Sequence, residues 1–225
     1  MLIVLEGLDG AGKSTQIKML QNLFKNKNRG VQYLHFPRFG APVFGDLIAR
    51  YLRGEFGDAG CTDPYLIALL FAEDRREAST QIRVWLEKGD CVILDRYVLS
   101  NIAFQCAKYS DKEKAKSLRD WILETEYKHF GLPEADISLF LDVPLSFVES
   151  KLNNERTGDD REYLRGKSDI HEESMDYQRR VREIYLNECA AGNHLRRIDC
   201  SGKDGGMLSA DNIHSMIAGI VEEGL

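Results

Sequence analysis

The run Gly7-Leu8-Asp9-Gly10-Ala11-Gly12-Lys13-Ser14 constrains this chain more than any other part of it. It fits the pattern G-x-x-x-x-G-K-[ST], and its flanks are the ones that pattern needs. Ahead of it, Leu2-Ile3-Val4-Leu5 is a short apolar run with the character of a buried parallel strand. Behind it, Ser14 opens a helical pattern, with Ile17, Leu20 and Phe24 on one face. The glycines therefore occupy a strand-to-helix turn. There, small residues let successive backbone N–H groups converge on a polyphosphate, and the helix N-terminus adds partial positive charge. The segment Gly7, Leu8, Asp9, Gly10, Ala11, Gly12, Lys13, Ser14 and Thr15 thus reads as a cradle for the phosphates of a nucleotide. Lys13 reaches the outer phosphates, and the Ser14 hydroxyl takes one Mg²⁺ position.

Further candidate strands at Val31–Phe36, Val92–Asp95, Ile137–Asp142 and His194–Asp199 alternate with longer helical patterns. The helical stretches fall near 14–28, 43–53, 63–88, 98–107, 111–130, 145–153, 170–190 and 209–223. Such alternation predicts an α/β fold, a five-stranded parallel sheet with helices on both faces. At 225 residues one domain suffices. Thirty Lys plus Arg against 36 Asp plus Glu give a net charge of −6, which argues against a general nucleic-acid binder. Five scattered cysteines without a C-x-x-C pair read as small core residues in a reducing compartment. No charged-then-apolar leader precedes the first strand and no apolar run approaches membrane-spanning length, so a cytoplasmic protein with no membrane partner is expected.

Residues 153–173 stand apart, dense in Arg, Asp, Glu and Gly. Such a stretch reads as a solvated surface loop or, in a nucleotide-binding fold, as a mobile lid over phosphates. No Asn-Lys-x-Asp guanine reader lies on a late strand, which sets a switch GTPase aside. A kinase for a phosphorylated acceptor needs a second anion site, and arginine suits it because its planar fork binds phosphate bidentately. Arg38 and Arg96 lie at the ends of the second and third strands, where α/β folds place ligands. The pair Asp95-Arg96 reads equally as a structural ion pair. Asp95 is also placed to meet Mg²⁺ through water. Phe71 and Arg75 share a helix face, so a planar base could stack on Phe71 while Arg75 donates to its edge. Ser100, Asn101, Phe104 and Gln105 share another, and Asn101 can pair with an imide edge. Taken without that context, Phe71 and Phe104 read first as plain core residues.

With these residues assembled, the chain resembles the thymidylate kinase family, P-loop nucleoside monophosphate kinases, nearly end to end. The matching runs are E-G-L-D-G-A-G-K-S-T-Q, F-P-R-F-G, L-L-F-A-E-D-R, I-L-D-R-Y-V-L-S-N-I-A-F-Q and L-D-V-P. The resemblance implies a three-layer P-loop NTPase fold, a lid over about 153–169, and ATP and dTMP as substrates with Mg²⁺ as cofactor. It also implies a homodimer. Asp9 would face the acceptor sugar and the transferred phosphate, and Lys13 would act on the donor. Arg38 and Arg96 would hold the acceptor 5′-phosphate. Phe36, Pro37, Phe39 and Ser100 would line the same dTMP site. Phe71 would stack on thymine, Arg75 and Asn101 would read its O4 and N3 edge, and Phe104 would crowd the sugar 2′ carbon.

Two departures from the family pattern matter. Some members carry a catalytic arginine inside the P-loop, where this chain has Gly10; members without it place the arginine in the lid. Arg161 is the expected equivalent, with Arg156 and Arg165 as rivals. Lys151 stands where an arginine often stacks on adenine, which predicts looser donor-base preference. Asp169 and Glu172 match lid-end acids that contact the acceptor sugar in some members, and they read equally as caps for the following helix. The rival readings are a kinase for dUMP, UMP or a deoxynucleoside, and a nucleotide sensor without catalysis. Arg161→Ala should lower turnover by ~10³-fold or more in a steady-state assay while the protein stays folded. Near-normal turnover would move the role to Arg156 or Arg165.

Overall fold

The computed structural model describes residues 1–57, 62–153, 163–164, 169, 174–192 and 195–224, with only the backbone for 151–153. Arg156, Arg161, Arg165, Glu172 and Cys61, and the Lys151 side chain, lie outside the described residues. Five strands form one parallel sheet: β1 (Leu2–Gly7), β2 (Val31–His35), β3 (Cys91–Asp95), β4 (Ile137–Asp142) and β5 (Leu195–Asp199). Their order is β2-β3-β1-β4-β5, and every pairing is parallel. The central strand β1 is buried at all six positions, as its unbroken apolar run requires of a strand covered on both faces.

Helices α1 (Lys13–Asn26), α2 (Phe44–Leu52), α3 (Pro64–Glu87), α4 (Val98–Cys106), α5 (Lys112–Leu123), α6 (Leu145–Asn153), α7 (Met175–Ala190) and α8 (Ala210–Glu223) connect the strands. α1 packs with α8, while α4 packs against α3, α5 and α7. Polar side chains cap the N-termini of the helices where the sequence provides them. Asp63 caps α3 through the Tyr65 N–H, with Pro64 in the first turn, and Asp111, Ser174 and Ser209 cap α5, α7 and α8. α4 is buried at every residue, so its polar members must find partners inside the protein.

The expected helix over 111–130 needs one correction. After Leu123 the chain continues as a π-helical turn, Glu124–His129, closed by the Phe130 N–H bonding the Thr125 carbonyl at 2.9 Å. The wider turn shifts the facing of each later residue, and Glu126 becomes completely buried. Cys91, Cys106 and Cys200 are buried as expected, and burial pushes each thiol up to about 12. Among the described residues no helix is long and apolar enough to cross a membrane.

Lys108, just after α4, donates to the Tyr51 hydroxyl of α2 at 2.6 Å and to Gln105 Oε1 at 2.5 Å, with its ammonium 4.9 Å from the Tyr51 ring centre. Burial lowers its pKa to about 7. The unfolded amine titrates near the ordinary lysine value, so between about pH 7 and 10 the unfolded chain binds more protons and stability rises with pH. Urea denaturation of wild type and Lys108→Met should therefore show wild type gaining roughly 1–3 kcal/mol on the variant from pH 7 to pH 10, allowing for solvent near the amine.

Candidate functional site

The loop after β1 turns into α1 through Gly12, whose φ of 83° lies in the left-handed region that glycine enters without strain. Leu8 and Ala11 anchor it in the core, while Ser14 and Thr15 are exposed in the first turn of α1. Lys13 is buried; its Nζ donates to the Leu8 carbonyl at 3.2 Å and lies 3.9 Å from Asp95 Oδ1. Burial, and then the nearby Arg96 charge, lower the Lys13 pKa, against the pull of Asp95 and Asp9. Burial works to raise the Asp95 carboxyl, but Lys13, His35 and Arg96 hold it below its ordinary value.

Asp95 Oδ1 is buried and accepts no hydrogen bond. A buried carboxylate oxygen left over at this position fits a hard cation that keeps its waters and borrows one carboxylate. Among the described residues no cluster of three or more His, Cys, Asp and Glu could hold a metal unaided. The donor set suits Mg²⁺ shared with phosphates.

Arg96 follows β3 with φ at 70°, an unusual conformation for a side-chain-bearing residue. Its Nη2 bonds Asp9 Oδ1 at 2.7 Å, its Nη1 reaches Ser100 Oγ at 3.3 Å, and its guanidinium lies 4.8 Å from the Phe104 ring centre. Arg38 is fixed by carboxylates of α3. Its backbone N–H and Nε each bond Asp74 at 2.9 Å, and Nη2 bonds Glu77 at 2.7 Å. Gly45 lets α2 close on this turn, since a Cβ there would lie 2.2 Å from the Arg38 carbonyl. Phe36, joined to Pro37 by a cis peptide, is buried against Tyr97. Phe39 stacks on Tyr163, with ring centres 3.7 Å apart. The Tyr163 hydroxyl donates to Asp169 at 2.6 Å, and Arg53 donates to the Tyr163 carbonyl at 2.6 Å.

Arg75 and Asn101 meet at a buried carboxylate. Arg75 Nε and Nη2 bond the two Glu126 oxygens at 2.5 and 2.7 Å, leaving Nη1 outside the pair. Asn101 Nδ2 donates to the Ala68 carbonyl and to Glu126, both at 2.9 Å, and its Oδ1 is buried without a partner. Phe71 packs at the edge of the Ile48, Tyr51, Leu52 and Ile67 cluster. Phe104 is buried beside Tyr177, whose hydroxyl donates to the Phe104 carbonyl at 2.5 Å.

The structure thus joins Asp9, Arg96, Ser100 and Phe104 in one group, Lys13 and Asp95 in a second beside it, and Arg75 and Asn101 in a third. Ser100, expected to line the acceptor site, turns its hydroxyl to Glu6, Tyr185 and Arg96. Sequence reasoning missed Glu6, Asp74, Glu126 and Tyr163. Glu6 carries a readable signal, a charge inside an apolar strand. Glu126 carries none, because a regular helix through 111–130 does not place it where the π turn does.

The family model for thymidylate kinase matches residues 5–205. The thymidylate kinase of Mycobacterium tuberculosis (strain H37Rv) is 36% identical over 193 residues, 85% of this chain and 87% of its own length. The probable thymidylate kinase of Thermococcus kodakarensis is 33% identical over 229 residues, 99% of this chain and 97% of its own. The solved structure of thymidylate kinase from Candida albicans superposes with a TM-score of 0.75 at 28% identity, spanning 99% of this chain and 91% of that one.

Removing one member of a buried ion pair strands the other, at a cost of about 3–5 kcal/mol. Glu126→Ala should lower unfolding stability by that order in urea titrations. A loss under 1 kcal/mol would mean that Arg75 finds another partner.

Proposed function

The chain belongs to the thymidylate kinase family, and on that premise we propose that it transfers the γ-phosphoryl group of ATP to dTMP, giving ADP and dTDP. The observation that carries the acceptor assignment is the polar trio of Arg75, Asn101 and Glu126. A buried acceptor without a partner is costly, so the orphaned Asn101 Oδ1 calls for a donor from a ligand. The N3–H of thymine is such a donor. Both Asn101 donors are already spent within the protein, so Arg75 must serve the neighbouring O4 through Nη1. Thymine then stacks on Phe71, and Phe104 meets the 2′ carbon, where a ribose hydroxyl would be left unpaired.

Arg38 and Arg96 hold the acceptor phosphate, and Asp9 keeps Arg96 oriented toward the loop that cradles the donor. The acceptor is already an anion, so no general base is needed. Its oxygen attacks the γ-phosphorus in line as ADP leaves, while Lys13 neutralises charge on the transferring group. Ser14, and Asp95 through water, would hold Mg²⁺, which would supply further positive charge to the transfer. The lid of about 153–169, with Arg161, Arg156 or Arg165, completes the charge and excludes water within a single domain over 1–225. The working form is a cytoplasmic homodimer.

Purified protein with ATP and Mg²⁺ should turn over dTMP faster than dUMP, UMP or thymidine in a coupled ADP assay. Greater activity on UMP or thymidine would reject the acceptor, and ATP binding without product from any of them would leave a sensor. Arg75→Ala should raise KM for dTMP far more than KM for ATP.

A further inference from the structure

Glu6 is completely buried near the end of β1, next to the phosphate-binding loop, yet nothing in the proposed reaction uses it. Every contact it makes is with a donor. Its Oε1 accepts from the backbone N–H of Tyr97 at 3.0 Å and of Ser100 at 3.2 Å. Its Oε2 accepts from the Ser100 hydroxyl and from the Tyr185 hydroxyl, the latter at 2.9 Å. Burial raises its pKa above the ordinary carboxylate value, against the opposing pull of Ser100, Arg96, Tyr185 and the Tyr97 N–H.

These contacts lie where α4 needs help. The helix starts after Tyr97, whose side chain caps nothing, so its first N–H groups lack a local acceptor. Glu6 supplies that acceptor from a neighbouring strand, and the helix N-terminus favours its negative charge. The same end of β1 reaches Arg96, because the Arg96 N–H bonds the Leu5 carbonyl at 2.9 Å. The turn bearing Arg96 is therefore held from both sides in its left-handed conformation. Ser100 extends this hold to the guanidinium. Its one proton goes to Glu6, so its lone pair faces Arg96 Nη1 at 3.3 Å.

We infer that Glu6 is a positioning residue for phosphoryl transfer, one that fixes the turn and the hydroxyl that aim Arg96 at the acceptor phosphate. Tyr185 joins α7 to the same carboxylate, its ring stacked on Phe140 with centres 4.6 Å apart. The inference rests on Arg96 holding that phosphate. Glu6→Gln tests it at constant volume. The retained oxygen still accepts from the two backbone N–H groups, so the new amide must face Ser100 and Tyr185. Ser100 and Tyr185 must then accept from the amide, so the Ser100 proton leaves position 6 for the Tyr185 hydroxyl 2.8 Å away, and the hydroxyl that meets Arg96 Nη1 reorients.

The test measures kcat, KM for dTMP and for ATP, and melting temperature for wild type, Glu6→Gln, Arg96→Ala, the double variant and Tyr185→Phe. Glu6→Gln should lower kcat/KM for dTMP about 10–100-fold, with KM for ATP changed less than threefold. Added to Arg96→Ala, it should cost less than a further threefold. Wild-type kcat/KM for dTMP in Glu6→Gln, or an undiminished loss in the Arg96→Ala background, overturns the inference. Near-normal activity of Arg96→Ala alone overturns the Arg96 reading beneath it. Should Glu6→Gln fail to fold, Tyr185→Phe decides: a selective loss of at least about threefold in dTMP kcat/KM at unchanged melting temperature supports the inference, and no loss overturns it.

Discussion

In a parallel sheet the hydrogen bonds of each interior strand are supplied from both sides, and only at the strand ends is backbone left for other partners. β1 lies between β3 and β4 and is buried throughout, so its carboxyl end has no freedom to drift. Gly7 through Gly12 continue from that fixed point, and Arg96 is tied to it through the Leu5 carbonyl. The phosphate cradle and the arginine facing it are thus two extensions of neighbouring strands. Their separation is set by strand spacing, and loop flexibility contributes little.

The buried charges around this point form small closed groups, each with a cation, a carboxylate and a third polar member. Arg96 has Asp9 and Ser100; Arg75 has Glu126 and Asn101; Lys13 has Asp95 nearby and the Leu8 carbonyl. A guanidinium without such a partner would cost far more to bury than an unpaired amide. Pairing makes these arginines tolerable in the interior, and it also fixes which nitrogens remain for a ligand. What a ligand can meet here is set as much by the donors already engaged as by those left over.

The sheet was legible in the sequence because β1, β3 and β4 are short apolar runs between longer helical patterns, and strand ends moved by a few residues at most. The helices were legible from their apolar spacing. Arg75 and Asn101 could be singled out because each shares a helix face with aromatic residues at the right spacing. Their common carboxylate could not. Glu126 lies 51 residues from Arg75, in a segment that reads as a regular helix. Long-range pairs of this kind leave no periodic trace. Asp74 is a similar case: it reads as one more helix charge until the Arg38 turn is seen folded onto it.

The π turn at Glu124–His129 has a consequence for how such a pocket can change. One residue's worth of extra backbone is accommodated there, and the carboxylate that anchors Arg75 lies within it. Deleting a single residue upstream in the turn would restore ordinary helical winding and swing Glu126 by about 100° around the axis. The anchor would leave the pocket with no substitution at any residue that meets a ligand. The partner of Arg75 is therefore placed by chain length in the turn as much as by the identity of any side chain.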